Sequence, residues 1–165
     1  MIKDLLLDTH VLNEFIAQYF EYKIYSTGHF VEREFLTKER AILINNIIYE
    51  YRTEATLSKG IIVSSAISFI EIARKFALIA KNRYSLNQFK SFIDDVPPYF
   101  HIAPVEKSIG LYLNKVPKYI TTALGELKPI ELPDAIHCAT YYSRDSIAIL
   151  TEDNRIKSIQ GITVI

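Results

Sequence analysis

The chain has 165 residues, of which 49% are hydrophobic and 23% charged, and its formal net charge is zero. This length suits one domain with a real core, and the composition excludes a disordered or collagen-like polymer. Overall neutrality excludes a globally basic nucleic-acid coat, so any polyanion contact must come from a local patch.

Leu5, Leu6 and Leu7 run without alternation and stop at Asp8-Thr9, which predicts a short buried strand over residues 2–8. Val11, Leu12, Phe15, Ile16 and Tyr19 then recur at helical spacing, predicting a helix from about His10. Between residues 22 and 60, Tyr22, Tyr25, Phe30 and Phe35 lie among charges. Ile42, Leu43, Ile47, Ile48 and Tyr51 predict a second long helix there, ending near Gly60. Ile61-Ile62-Val63 reads as the second strand. The helix expected after it, from about Ser68 to Asn82, turns Phe69, Ile72, Ala73, Phe76 and Ile79 inward.

A further helix covers Leu86 to Asp94 and stops before Pro97-Pro98, because proline cannot continue a helix and restrains the residue before it. Phe100 to Ala103 reads as the third strand, and residues 106–127 as one or two short helices interrupted at Pro117 and Gly125. Pro133 opens a helix running through Tyr142, Ile147 to Leu150 forms a fourth strand, and Ile162 to Val164 a short fifth. Strands alternating with helices imply an α/β sandwich with a mainly parallel sheet. With no internal repeat and no long linker, residues 1–165 are expected to form a single domain.

Asp8 ends the first strand, Asp134 opens a helix at Leu132-Pro133-Asp134, and Asp153 follows Leu150-Thr151-Glu152 after the fourth strand. Loops beyond the carboxyl ends of parallel strands share one crevice, where residues distant in sequence can meet. Glu71, early in the helix after the second strand, is the fourth candidate. Each has an ordinary alternative: Asp8 as an N-cap, Asp134 as a partner of the helix dipole, Asp153 as a solvated turn residue. Glu71 could form a capping box with Ser68 or pair with Arg74 or Lys75. Converging carboxylates repel one another, so without a cation one or more should take up protons. Mg²⁺ or Mn²⁺ removes that conflict, since hard cations take oxygen ligands and retain water. Such an ion lowers the pKa of bound water and stabilises charge on an attacked phosphate, which implies phosphodiester hydrolysis.

Other constellations are weaker. His10, His29, His101 and His137 lack paired metal-ligand spacing, which argues against zinc; His137, three residues past Asp134 on the same helical face, could hydrogen-bond near the crevice but is given a structural role. No dinucleotide fingerprint, Walker loop or nucleophile elbow occurs. Arg74, Lys75, Lys81, Arg83 and Lys90 face only Glu71 in residues 71–90, a phosphate track or a solvated helix face. The tyrosines are assigned mostly to core and rim. The single cysteine, Cys138, excludes an intrachain disulfide and fits a reducing compartment. MIKDLLLD lacks an apolar signal region and no stretch approaches the ~20 apolar residues of a membrane span, so a cytoplasmic location is expected.

LLLDTHVL at the start, SSAISFIEIARK in the middle, and LPDAIHCATYY followed by ILTEDNRI near the end carry a resemblance. The chain resembles the PIN-domain ribonucleases, especially the VapC-like toxins of toxin–antitoxin pairs. The resemblance implies an α/β/α fold and an acidic quartet, Asp8, Glu71, Asp134 and Asp153, holding Mg²⁺ or Mn²⁺ for endonucleolytic RNA cleavage. It also implies supporting hydroxyls at Thr9 and Thr151, a homodimer, and a cognate antitoxin that covers or fills the site. Two departures stand out. The interval from Asp8 to Glu71 is long, the excess falling in the aromatic region 22–60, and Asn13-Glu14 replaces bulky apolar residues. A non-catalytic PIN-like binding module, using residues 22–60 for a protein partner, stays open as the alternative. A haloacid-dehalogenase-type phosphatase is disfavoured, because its second aspartate is replaced here by His10.

Overall fold

In the computed structural model, which describes residues 4–25, 42, 46, 61–78, 84–97, 99–122 and 124–165, strand β1 is Leu5–Leu7 and helix α1 is Thr9–Tyr25. The expected helix ending near Gly60, and the proposed partner surface within 22–60, lie almost wholly outside the described residues. β2 (Ile62–Ser65) runs straight into α2 (Ala66–Leu78), followed by α3 (Leu86–Asp94) and β3 (Phe100–Ala103). The second half holds α4 (Lys107–Tyr112), a 3₁₀ turn at Leu113–Lys115, a β4–β5 hairpin (Tyr119–Thr121 and Leu127–Pro129), α5 (Leu132–Ser143), β6 (Ala148–Leu150) and α6 (Asn154–Lys157).

The main sheet is parallel, in the order β3-β2-β1-β6. Leu6 pairs in register with Val63 on one side and Ile149 on the other, and Val63 with His101 beyond. Because side chains alternate across a strand, each strand feeds two cores. Leu5, Leu7, Ile62, Phe100, Ala148 and Leu150 face α1, α2 and α3. Leu6, Val63, Ala103 and Ile149 face the other side, against α4, α5 and α6 through Ile109, Ala135, Ile136, Ala139 and Ile156. The result is a three-layer α/β/α sandwich. The first layer is strongly aromatic: Phe15, Phe69 and Phe100 surround Phe92, with ring centroids 6.0, 6.4 and 5.6 Å away.

Four local outcomes differ from, or qualify, the sequence reading. Of the one or two short helices expected over 106–127, Lys107–Tyr112 forms one, but Tyr119–Thr121 pairs antiparallel with Leu127–Pro129 as a hairpin: Gly125 adopts φ +79°, a left-handed turn conformation that favours glycine, and its N–H donates to the Thr122 carbonyl. Ile162 to Val164 contributes only a single parallel bridge, Val164 to Ile149. Ala73, expected inside, is exposed. Asn13 is accommodated on α1 because the Tyr84 hydroxyl donates to its side-chain carbonyl.

Among the described residues, no helix is long and apolar enough to cross a membrane. At the opposite end of the sheet from Asp8, Arg144 Nε donates to Asp4 Oδ2 at 2.7 Å, tying the end of α5 to the start of β1.

Candidate active site

The chain steps from β1 to β2 and β3 on one side, then returns to the other side of β1 as β6. A crevice is expected outside the carboxyl ends of strands at such a switch. Asp8 follows β1 and Thr151 follows β6, both almost wholly buried. The Thr151 hydroxyl donates to Asp8 Oδ2, while Asp8 Oδ1 accepts the Val11 N–H at 2.9 Å. Asp8 is thus the helix cap that its position suggested, and it also reaches across the switch point. Burial pushes its carboxyl above the usual range, against the hydrogen bonds from Thr151 and Val11. Thr151 Oγ1 also accepts the Asp153 N–H at 2.9 Å.

Glu71 belongs to a second group. The helix starts at Ala66, so Ser68 lies inside its first turn, fully buried, and its hydroxyl has no hydrogen-bond partner. The capping box therefore does not form. Ser65 takes the capping place, accepting the Ile67 N–H at 3.4 Å. Glu71 Oε2 instead receives the Thr9 hydroxyl, and His137 Nε2 stands 3.7 Å away, close enough for an ion pair but too long for a hydrogen bond. His137 Nε2 is also 3.3 Å from Thr9 Oγ1. The His137 contact holds the Glu71 carboxyl below its usual range, burial opposes it, and Thr9 adds to the lowering. Lys75, one turn further on, acts in the same direction.

Asp134 and Asp153 meet a residue that sequence reasoning missed. Arg155 Nη2 donates to Asp153 Oδ2 at 2.7 Å and lies 3.4 Å from Asp134 Oδ2, while Nη1 reaches Glu131 Oε1 at 2.5 Å. Asp153 also caps α6, accepting the Arg155 N–H at 2.7 Å. Burial raises the Asp153 carboxyl, but the hydrogen bonds and charge of Arg155 outweigh it and hold the group below its usual range. Asp134 is less well served: its buried Oδ2 has no hydrogen bond, and burial pushes the group up to about 6 despite the Arg155 charge. Asp153 adds a smaller upward push. The signal for Arg155 was its place two residues past Asp153, where a side chain can fold back on its own helix cap.

The four predicted carboxylates therefore occupy one end of the sheet in three linked groups: Asp8 with Thr151, Glu71 with Thr9 and His137, and Asp134 with Asp153 through Arg155. Among the described residues, no three His, Cys, Asp or Glu side chains form a group able to hold a metal ion as they stand. The donor set nonetheless fits a hard cation: the groups are oxygen donors, and the buried Asp134 Oδ2 has an ion-pair contact with Arg155 but no hydrogen bond, leaving coordination that a cation would supply. Cys138, on the same helix as Asp134, is buried and its thiol is pushed up to about 12, so it is no nucleophile at neutral pH.

No family model matches the chain, and none of the curated proteins does. Solved structures do match. A chain in the crystal structure of VapBC2 from Rickettsia felis, bound to a DNA fragment from their promoter, superposes with a TM-score of 0.58 at 14% identity, covering 98% of this chain and 97% of that one. The fold is VapBC2-like. A chain of FitAcB from Neisseria gonorrhoeae gives a TM-score of 0.56 at 18% identity, covering 97% of this chain and 95% of that one. The likeness to VapBC2 extends over nearly the whole length, so the long interval between Asp8 and Glu71 has not changed the fold class.

Proposed function

We propose that this chain is a metal-dependent endoribonuclease, the toxin of a toxin–antitoxin pair, working in the cytoplasm as a single PIN-like domain. One observation carries the reading: Asp8 and Thr151 are joined across the switch point of a parallel sheet, with Asp153 on the same connection as Thr151, and Asp134 and Glu71 supplied to the same strand ends by two other segments. The VapBC2-like and FitAcB-like fold supports it, as does the ordered set of acidic motifs.

Asp8, Asp134, Asp153 and Glu71 would hold Mg²⁺ or Mn²⁺. The bound ion would supply a water of lowered pKa and stabilise charge on the attacked phosphate. The rest falls to the chain. Thr151 orients Asp8 by donating to one oxygen and leaves the other on the backbone of α1. Thr9 and His137 hold Glu71 at the mouth of the crevice in its charged form. Arg74 and Lys75, on α2 just beyond Glu71, offer positive charge for the RNA backbone. A homodimer and a cognate antitoxin complete the reading.

Purified protein incubated with structured RNA and Mg²⁺ or Mn²⁺ tests it. Cleavage is expected to fall by orders of magnitude in Asp8→Asn and Asp134→Asn. Unchanged cleavage in both variants sinks the assignment.

A second reading, a catalytically inactive PIN-like protein-binding module, draws on the guanidinium already seated between Asp134 and Asp153. It predicts no RNA cleavage under any metal condition, together with partner binding that depends on residues 22–60. Partner binding that survives deletion of that region counts against it.

A further inference from the structure

Arg155 uses its whole guanidinium on the crevice carboxylates. Nε lies 3.2 and 3.1 Å from the two oxygens of Asp153, Nη2 bridges Asp153 at 2.7 Å and Asp134 at 3.4 Å, and Nη1 holds Glu131. The side chain is 39% exposed, so water can receive it if it leaves. The two contacts of Nη2 are unequal. Asp153 is gripped by hydrogen bonds, while Asp134 Oδ2 is left with an ion-pair contact only and no hydrogen bond, although it is buried. A fixed positive charge between these carboxylates and a divalent cation shared by the same oxygens exclude one another by Coulomb repulsion.

We propose that Arg155 is the resident counter-ion of this crevice, and that a divalent cation must displace it from Asp134 and Asp153 in order to bind. The inference rests on the proposed cation site and adds to it a competitor built into the chain. Two of the four carboxylates that would gather around a cation, Asp134 and Asp153, are turned to Arg155 instead. By linkage, the free energy of the Arg155 contacts with Asp134 and Asp153 is subtracted from the cation's affinity.

Calorimetric titration of the full chain with Mn²⁺ tests the proposal. Arg155→Gln, which keeps polarity and loses charge, is expected to bind Mn²⁺ roughly tenfold more tightly than the unaltered protein, within the usual span of coupling between competing ligands. Arg155→Lys, which keeps charge but cannot fork between two carboxylates, is expected to fall between them. A second measurement needs no variant. Phenylglyoxal modification, followed by peptide mass mapping, should reach Arg155 several-fold faster with saturating Mn²⁺ than without it, because the displaced guanidinium enters solvent. Equal Mn²⁺ affinities with a modification rate indifferent to Mn²⁺ overturn the role of Arg155 and leave the cation site standing. Weaker binding in Arg155→Gln does the same. Failure of both the unaltered protein and Arg155→Gln to bind Mn²⁺ at millimolar concentration overturns the cation site itself, and the inference with it.

Discussion

The hydroxyl of Thr151, at the end of β6, donates to the carboxylate of Asp8, at the end of the neighbouring β1, and so ties the two strands that flank the switch point of the sheet. Thr151→Val removes that donor and also the acceptor of the Asp153 N–H. With the Asp8 contact buried and the Asp153 contact part-buried, the cost is expected to be about 1–3 kcal/mol in urea unfolding. Since the Thr151 hydrogen bond opposes the upward push of burial on Asp8, the variant should also move the acid limb of any pH–rate profile to higher pH. Thr151→Ser should restore both.

Ser68 distinguishes two accounts of Glu71. If Ser68 capped α2, its loss would cost about 1 kcal/mol. Its hydroxyl is instead buried without a partner, so Ser68→Ala is expected to be neutral or slightly stabilising by thermal melting. A clear loss of stability contradicts an unpartnered Ser68 hydroxyl.

The carboxylates give metal-free stability a specific pH dependence. Asp134 is raised from 3.8 to about 6, chiefly by burial, and Asp8 is raised as well. An acid whose pKa rises on folding binds more protons folded than unfolded between the two values, so stability falls as pH climbs through that window. For Asp134 alone this is worth up to roughly 3 kcal/mol. Glu71 and Asp153 are lowered, so the stability they contribute is present above their ordinary values and lost as pH drops below about 4. Melting in EDTA is therefore expected to be higher near pH 5 than at pH 7.5, with added Mg²⁺ raising the pH 7.5 value more. A metal-free melt higher at pH 7.5 speaks against it.

Phe92 is fully buried among Phe15, Tyr19, Phe69 and Phe100. Phe92→Ala is expected to cost about 3–5 kcal/mol, because the rings around it are held by several elements and cannot all collapse into the space. Chemical denaturation reads this directly, and a cost below about 1 kcal/mol would argue against this packing.

Much of the sheet was legible because its strands are short, apolar and unalternating, as Leu5 to Leu7 and Ala148 to Leu150 show: a strand covered on both faces has no polar side to write into the sequence. The 119–129 hairpin was not. Only Ile120 of β4 is buried and β5 is exposed throughout, so no period-2 pattern marks it, and Gly125 reads equally as a helix break or a turn. At the site, the aspartates announced themselves by position and the Thr9 and Thr151 hydroxyls came with the resemblance, whereas the contacts those hydroxyls make did not show in the sequence. The contacts of Thr9 with Glu71 and His137 span 62 and 128 residues, and depend on how α1 and α2 on one face and α5 on the other meet beyond the strand ends. Arg155 was near in sequence to Asp153, but its reach to Glu131 and Asp134 depends on α6 lying beside the start of α5.

In the proposed site, four carboxylates from separate segments serve one divalent cation. A crystal soaked in Mn²⁺ and measured at the manganese absorption edge tests it most directly. The expected result is one anomalous peak with Asp8 and Asp134 oxygens about 2.1 Å away, hard-cation coordination distance, and Arg155 turned out of the crevice. A peak bound elsewhere, or none with the carboxylates still apart, would contradict the claim.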